Sequence, residues 1–97
     1  MNYYGRVMAR DSTVHDYYRF FLAPGLQHCY GGNGAYPDSS FDALVKWVEH
    51  GIAPDTLNAT SLPTRVGSKI NRPLCPYPQR QYHKTCDTED GVCFFCR

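Results

Sequence analysis

At 97 residues, 42% hydrophobic and 20% charged, the chain has the composition of a small globular domain, a size that buries only a modest fraction of its surface. Its net charge of +1 gives no reason to expect nucleic acid or an anionic membrane as a partner, and no apolar run is long enough to span a bilayer. Five cysteines in so short a chain point to an oxidising compartment.

Met1-Asn2-Tyr3-Tyr4 has neither the basic start nor the apolar stretch of a signal peptide. Tyr3, Tyr4, Val7 and Met8 recur at near-helical spacing, which predicts a short opening helix. Asp11-Ser12-Thr13 reads as a turn. Tyr17-Tyr18-Arg19-Phe20-Phe21-Leu22 is aromatic and apolar on both faces, the pattern of a buried strand in a parallel sheet. Pro24-Gly25 ends it. A glycine-rich loop with His28 and Cys29 follows, from Gly25 to Asp38.

The next helix is the best-marked element. Ser39 with Asp42 has the spacing of a capping box, and Phe41, Leu44, Val45 and Val48 form an apolar stripe. Gly51 suits the residue just past a helix end, and Pro54 prevents continuation. Leu57 to Thr60 predicts a short strand that contains the glycosylation sequon Asn58-Ala59-Thr60. From Ser61 on, Pro, Gly, Arg and Cys dominate without an apolar period, so this tail is expected to be ordered only by cross-links. The chain thus divides into 1–60 (strand, histidine loop and helix) and 61–97 (Cys/Pro-rich tail).

One strand and two helices do not make a sheet, and a strand apolar on both faces needs neighbours and covering layers. The fold class is therefore α/β, with the chain read as the last strand and last helix of a larger α/β protein and incomplete as a stand-alone domain. A chain of secreted character without an export signal, and with an odd cysteine, suggests that its beginning is missing.

His28 lies on a glycine-rich loop just past the C-terminal end of the predicted strand. A general base needs this arrangement, with the backbone fixed and the imidazole free to face a cleft. A side chain of near-neutral pKa takes a proton from a nucleophile and returns it to a leaving group. The bland alternative is a surface histidine.

The local pattern Pro24-Gly25-x-x-His28-Cys29-x-Gly31-Gly32-x-Gly34 resembles the histidine motif of the fungal tannase and feruloyl esterase family. Tyr3-Tyr4 with Arg6-Val7, Asp16 to Phe21, Phe41 to Leu44 with Trp47-Val48-Glu49, Gly51 to Asp55 and Arg72 to Pro78 match in order. The resemblance covers nearly the whole chain. It implies the C-terminal portion of an α/β-hydrolase fold: last strand, histidine loop, last helix and disulfide-bridged tail. It also implies a serine carboxylic ester hydrolase acting on aromatic-acid esters, with His28 as the triad histidine. Cys29 would bridge to a cysteine beside the nucleophilic serine, outside this chain, and Gly31, Gly32 and Gly34 would form a backbone wall of the active site.

The serine and the acid are not expected here. Asp11, Ser12, Thr13 and Asp16 precede the predicted strand, which rises roughly 20 Å at about 3.3 Å per residue before His28. No Gly-x-Ser-x-Gly elbow and no Cys-Ser pair occurs, and the family's acid lies upstream of Met1. So does the lid domain that carries its structural calcium, which leaves no cofactor to expect in this chain. Alone, the chain is expected to be inactive.

Two other constellations compete. Gly31-Gly32-x-Gly34 between a strand and a helix invites a phosphate, but it lacks the Lys-Ser/Thr of a P-loop. His83-x2-Cys86-x6-Cys93-x2-Cys96 offers zinc-ligand types at tolerable spacing, the mark of a small non-catalytic zinc module. The resemblance pairs Cys75 with Cys96 instead. Cys86 and Cys93 depart from the family pattern, and a local bridge between them is the corresponding expectation.

Overall fold

The computed structural model describes residues 3–63, 65–84 and 93–97. The opening helix forms as α1 (Tyr3–Arg10) and turns Tyr4 inward. The Tyr4 ring meets Tyr18 edge-on at 4.8 Å and Tyr77 at 5.8 Å, and its hydroxyl donates to the Tyr18 carbonyl at 2.9 Å. Burial, and secondarily the nearby Tyr18, push the Tyr4 phenol above its ordinary pKa, against the opposing pull of Arg19.

The turn after α1 is built on Asp11. Its carboxylate accepts from the Thr13 hydroxyl at 2.7 Å, the Thr13 amide at 2.9 Å and the Tyr17 hydroxyl at 2.7 Å. The bond from the Thr13 side chain, then that from Tyr17, holds the Asp11 carboxyl below the usual range, and the same contact raises Tyr17. A single 3-10 turn, Val14–Asp16, follows and buries Val14 completely.

The buried strand expected at Tyr17–Leu22 does not form. The segment is extended, but its backbone links to later parts of the chain are an isolated bridge from Phe21 to Pro76 and the Tyr77 amide on the Phe20 carbonyl at 2.6 Å. Pro76 has no N–H, so the ladder cannot continue through it. No parallel neighbour lies beside the segment among the described residues, and Tyr17, Tyr18 and Leu22 are exposed.

The sheet that does form is antiparallel rather than parallel. β1 (Ala35–Tyr36), β2 (Leu57–Ser61) and β3 (Asn71–Leu74) make three strands in the order β1-β2-β3. Ala35 stands opposite Ser61, and Leu57 opposite Leu74. β2 is the strand expected at residues 57–60, and it runs across the point where the composition changes. Its Ala59 is fully buried and packs with Ala35, Ile70 and Leu74, with Phe21, Ala23 and Leu57 closing the sides of this small core.

The region from Ser61 on is more regular than its composition suggests. Besides β3 it contributes β4 (Gln81–His83) and β5 (Phe94–Cys96), an antiparallel pair with Tyr82 opposite Phe95. Those two rings stack at 5.8 Å. Short strands whose side chains are aromatic rather than aliphatic leave little alternation to read.

The second helix forms as α2 (Ser40–His50), and Gly51 caps it in the left-handed conformation, φ 67°, its N–H returned to the carbonyls of Lys46 and Trp47. The capping box is not made. Ser39 stands at the N-cap, but its hydroxyl donates across to the Asn58 carbonyl at 3.0 Å and so ties the start of α2 to β2. The apolar stripe of α2 is uncovered: Phe41 and Val48 are 72% and 77% exposed, and no residue of the helix is buried.

Candidate active site

His28 sits near the tip of a narrow hairpin. The limbs are joined by the Gly34 amide on the Gly25 carbonyl at 2.9 Å, the Gln27 amide on the Gly31 carbonyl at 3.1 Å and a bridge between Leu26 and Gly32. Glycine is required for this closeness. A Cβ on Gly32 would collide with the Gly25 carbonyl oxygen, and one on Gly34 with that of Pro24. With Gly31 and Gly32 at φ near 100°, the chain turns in a conformation that residues with side chains rarely adopt. The hairpin leads directly into β1, so the sheet anchors one end of it.

The tip residues His28, Cys29 and Tyr30 are exposed. The Sγ of Cys29 lies 3.0 Å from Nδ1 of His28, and the Tyr30 amide closes the turn on the His28 carbonyl at 2.8 Å. Cys29 is a free thiol held at φ 66°. Among the described residues it is the one non-glycine in that region, a conformation that costs on the order of 1–3 kcal/mol and that recurs at functional sites.

Three Ser and Asp side chains beside the sheet are engaged away from His28. The Ser39 hydroxyl is on Asn58, the Ser61 hydroxyl accepts the Ile70 amide at 3.0 Å, and Asp38 accepts from Thr60 at 2.9 Å. Asn58, the sequon asparagine, is an exposed residue of β2.

Cys75 and Cys96 are bonded, S–S 2.09 Å. Cys93 is also a disulfide cysteine, whereas Cys86, the partner expected for it, lies outside the described residues. These bonds correct the zinc reading. Two of its four ligands, Cys93 and Cys96, have no thiolate to offer, and His83 packs on the ring of Phe94 at 5.0 Å. Among the described residues no three His, Cys, Asp or Glu side chains gather around a cation position.

The tannase and feruloyl esterase family profile matches residues 1–97. The chain belongs to that family. It is 40% identical over 92 residues to a probable feruloyl esterase of Arthroderma benhamiae, covering 92% of this chain and 17% of that protein. It is likewise 40% identical over 98 residues to the mono(2-hydroxyethyl) terephthalate hydrolase of Piscinibacter sakaiensis, covering 98% of this chain and 16% of the relative. The crystal structure of feruloyl esterase B from Aspergillus oryzae superposes with a TM-score of 0.83 at 27% identity, over 98% of this chain and 22% of the other. The chain thus spans less than a quarter of the proteins it resembles, and within that span it has the backbone of the esterase-fold family.

Two arginines that tie distant segments together, one of them on the hairpin, escape a reading of the sequence. Arg19 donates to the carbonyls of His15 at 2.9 Å and Pro54 at 2.8 Å, reaches Asp55 at 3.3 Å and lies over the Trp47 ring. Arg65 donates through Nη1 to the carbonyl of Asn33 in the hairpin and through Nε to that of Ser68 at 2.7 Å. Their distant partners, Pro54 and Asp55 for Arg19 and Asn33 for Arg65, lie 32 to 36 residues away, beyond any local pattern.

Proposed function

We propose that this chain is the histidine-bearing portion of a serine carboxylic ester hydrolase, and that His28 is its general base and acid. His28 would deprotonate a serine supplied from outside these 97 residues and return the proton to the leaving alcohol, through an acyl-serine intermediate. The observation that carries this reading is the hairpin itself. It exposes one imidazole on a glycine scaffold with a strained residue beside it, in a chain of an esterase family. The acid that orients the imidazole would also come from outside.

The substrate class is esters of aromatic acids, such as feruloyl or galloyl esters of plant material. Support comes from the names of the relatives, since ferulate and terephthalate share a carboxyl group on an aromatic framework. Cys29 would pair with a cysteine next to the serine and so hold base and nucleophile together. Its free, exposed thiol is compatible with that. Gly31, Gly32 and Gly34 would line the cleft. The disulfides and the exposed sequon at Asn58 fit a protein of the secretory route.

The test is hydrolysis of methyl ferulate and methyl gallate. A complete enzyme carrying this segment should lose several orders of magnitude in kcat on His28→Ala, because a triad acts as a unit. The 97-residue chain alone should show no turnover. A turnover of the isolated chain that disappears with His28→Ala would refute the division of the triad.

A further inference from the structure

We propose that Arg65 is a positioning residue for His28, which sets the angle of the hairpin through the Asn33 carbonyl. The inference rests on reading His28 as the catalytic base and adds a residue to that machinery. The hairpin closes upon itself: every backbone hydrogen bond described within residues 25–34 joins one limb or tip residue to another. Such a closed unit has a fixed internal shape but can still swing about its base. Its first limb leaves an extended segment that no ladder holds, and its second limb enters β1, which is two residues long.

Among the described residues, one side-chain hydrogen bond reaches this unit from outside, and it comes from Arg65. The donor is itself fixed. Nε is engaged on the Ser68 carbonyl at 2.7 Å, and the Arg65 amide donates to Leu62 at 3.0 Å. The ends of this 62–69 connection are closed by the Ser61 amide on the Ile70 carbonyl at 2.9 Å and by the Ile70 amide on the Ser61 hydroxyl at 3.0 Å. Ala35 is paired with that same Ser61. Sheet, connection, guanidinium and hairpin therefore form a braced triangle. One side is the β1–β2 pairing, and the opposite side is the bond from Arg65 to Asn33.

A guanidinium suits the role because its donors are fixed in one plane, so holding Ser68 with Nε fixes the direction of Nη1. A lysine has one donor centre and cannot hold both carbonyls in that geometry. The consequence lies at the tip. His28 projects from the far end of a lever pivoting at residues 33–34, so a small rotation at the base displaces the imidazole most. A loss of 1 Å in placement at a reacting centre is enough to cost about a hundredfold in rate.

The experiment uses the 97-residue chain and no ester, so its failure is separate from a failure of the hydrolase reading. Arg65→Ala and Arg65→Lys are compared with the parent by NMR, following the His28 imidazole cross-peak and the backbone order parameters of residues 28–30. The β2–β3 amides serve as the internal control. In the parent the tip should be rigid, with an order parameter near about 0.85. In Arg65→Ala it should fall below about 0.6, and the His28 cross-peak should move toward the position of a free histidine, with the β2–β3 amides unchanged. Arg65→Lys should fall between the two.

An unchanged His28 signal with ordered tip amides in Arg65→Ala would overturn the proposal. So would loss of the β2–β3 signals together with the tip, since Arg65 would then be a general structural residue. If Arg65→Ala does not fold, Arg65→Lys decides. A disordered tip on an intact sheet supports the brace, and a tip as rigid as the parent's refutes it.

Discussion

The helix α2 and the strand pair β2–β3 invert the usual relation between pattern and burial. α2 has a capping residue, a continuous stripe and a glycine stop, yet no residue of it is buried. β2 and β3 carry Asn, Thr, Ser, Arg and Pro among few aliphatics, yet they supply Ala59 and Leu74 to the core. An amphipathic stripe states that a helix is meant to be covered, and says nothing about which segment covers it. Strand pairing states its own partner, because the ladder that satisfies the backbone also brings the small side chains together. In this chain the stability lies in the pairing, and the stripe is a surface.

The strongest way to break that contrast is to cut the bond that holds the β3 side of the sheet to β5. Cys75→Ser opens a loop of 21 residues between Cys75 and Cys96 and should cost about 3 kcal/mol on the loop-entropy scale. Urea unfolding of parent and variant, each with and without reductant, reads it, and the reduced parent should coincide with the reduced variant, since reductant also opens the bond at Cys93. Next comes Leu74→Ala, which empties a core of few residues. It should cost about 2–3 kcal/mol, at the lower end for buried leucines because a small core can partly collapse.

An acid titration sharpens the contrast from a third position. The folded-state pKa of Asp11 is held below its ordinary 3.8 by Thr13 and Tyr17. Its contribution is therefore fully present above pH 3.8 and is lost as pH falls through the depressed value. Tyr17 is raised above 10.0, so its contribution is present below pH 10.0 and lost as pH rises through the raised value. Asp11→Asn should remove the acid dependence from the signals of residues 11–17, weaken the alkaline one and leave the β2–β3 amides indifferent. The smallest effect belongs to α2. Val48→Ala should change the stability of this chain by no more than about 0.5 kcal/mol, although the sequence pattern alone marks it as a core residue.

Much of the architecture was legible where structure is local. α1, the turn at Asp11, α2 with its Gly51 stop and the strand at Leu57 all follow from periodicity and turn chemistry. The segment Tyr17–Leu22 misleads because apolar character on both faces records an environment rather than a hydrogen-bonding partner, and Pro76 ends the contact it does find. Ser39 misleads because a hydroxyl at a helix start has a second acceptor within reach, the Asn58 carbonyl. In the site, the glycines after His28 signal a tight turn, and their crowding against Pro24 and Gly25 gives the reason. Arg19 and Arg65 are not legible in the sequence, since the partners that matter, Pro54 and Asn33, come from distant segments.

Arg19 has one more consequence. It holds Pro54, 35 residues away, so a single guanidinium draws shut a lasso whose rope contains the histidine hairpin, β1 and α2. Unlike a disulfide, such a noncovalent closure does not restrict the unfolded chain, and its entropy cost is met in the folded state by the contacts of the guanidinium. The rope is also tied at its middle, by the Ala35–Ser61 pairing and the bond from Ser39 to Asn58. Release of Arg19 should therefore speed the exchange of the α2 amides and leave the histidine hairpin to the bond from Arg65.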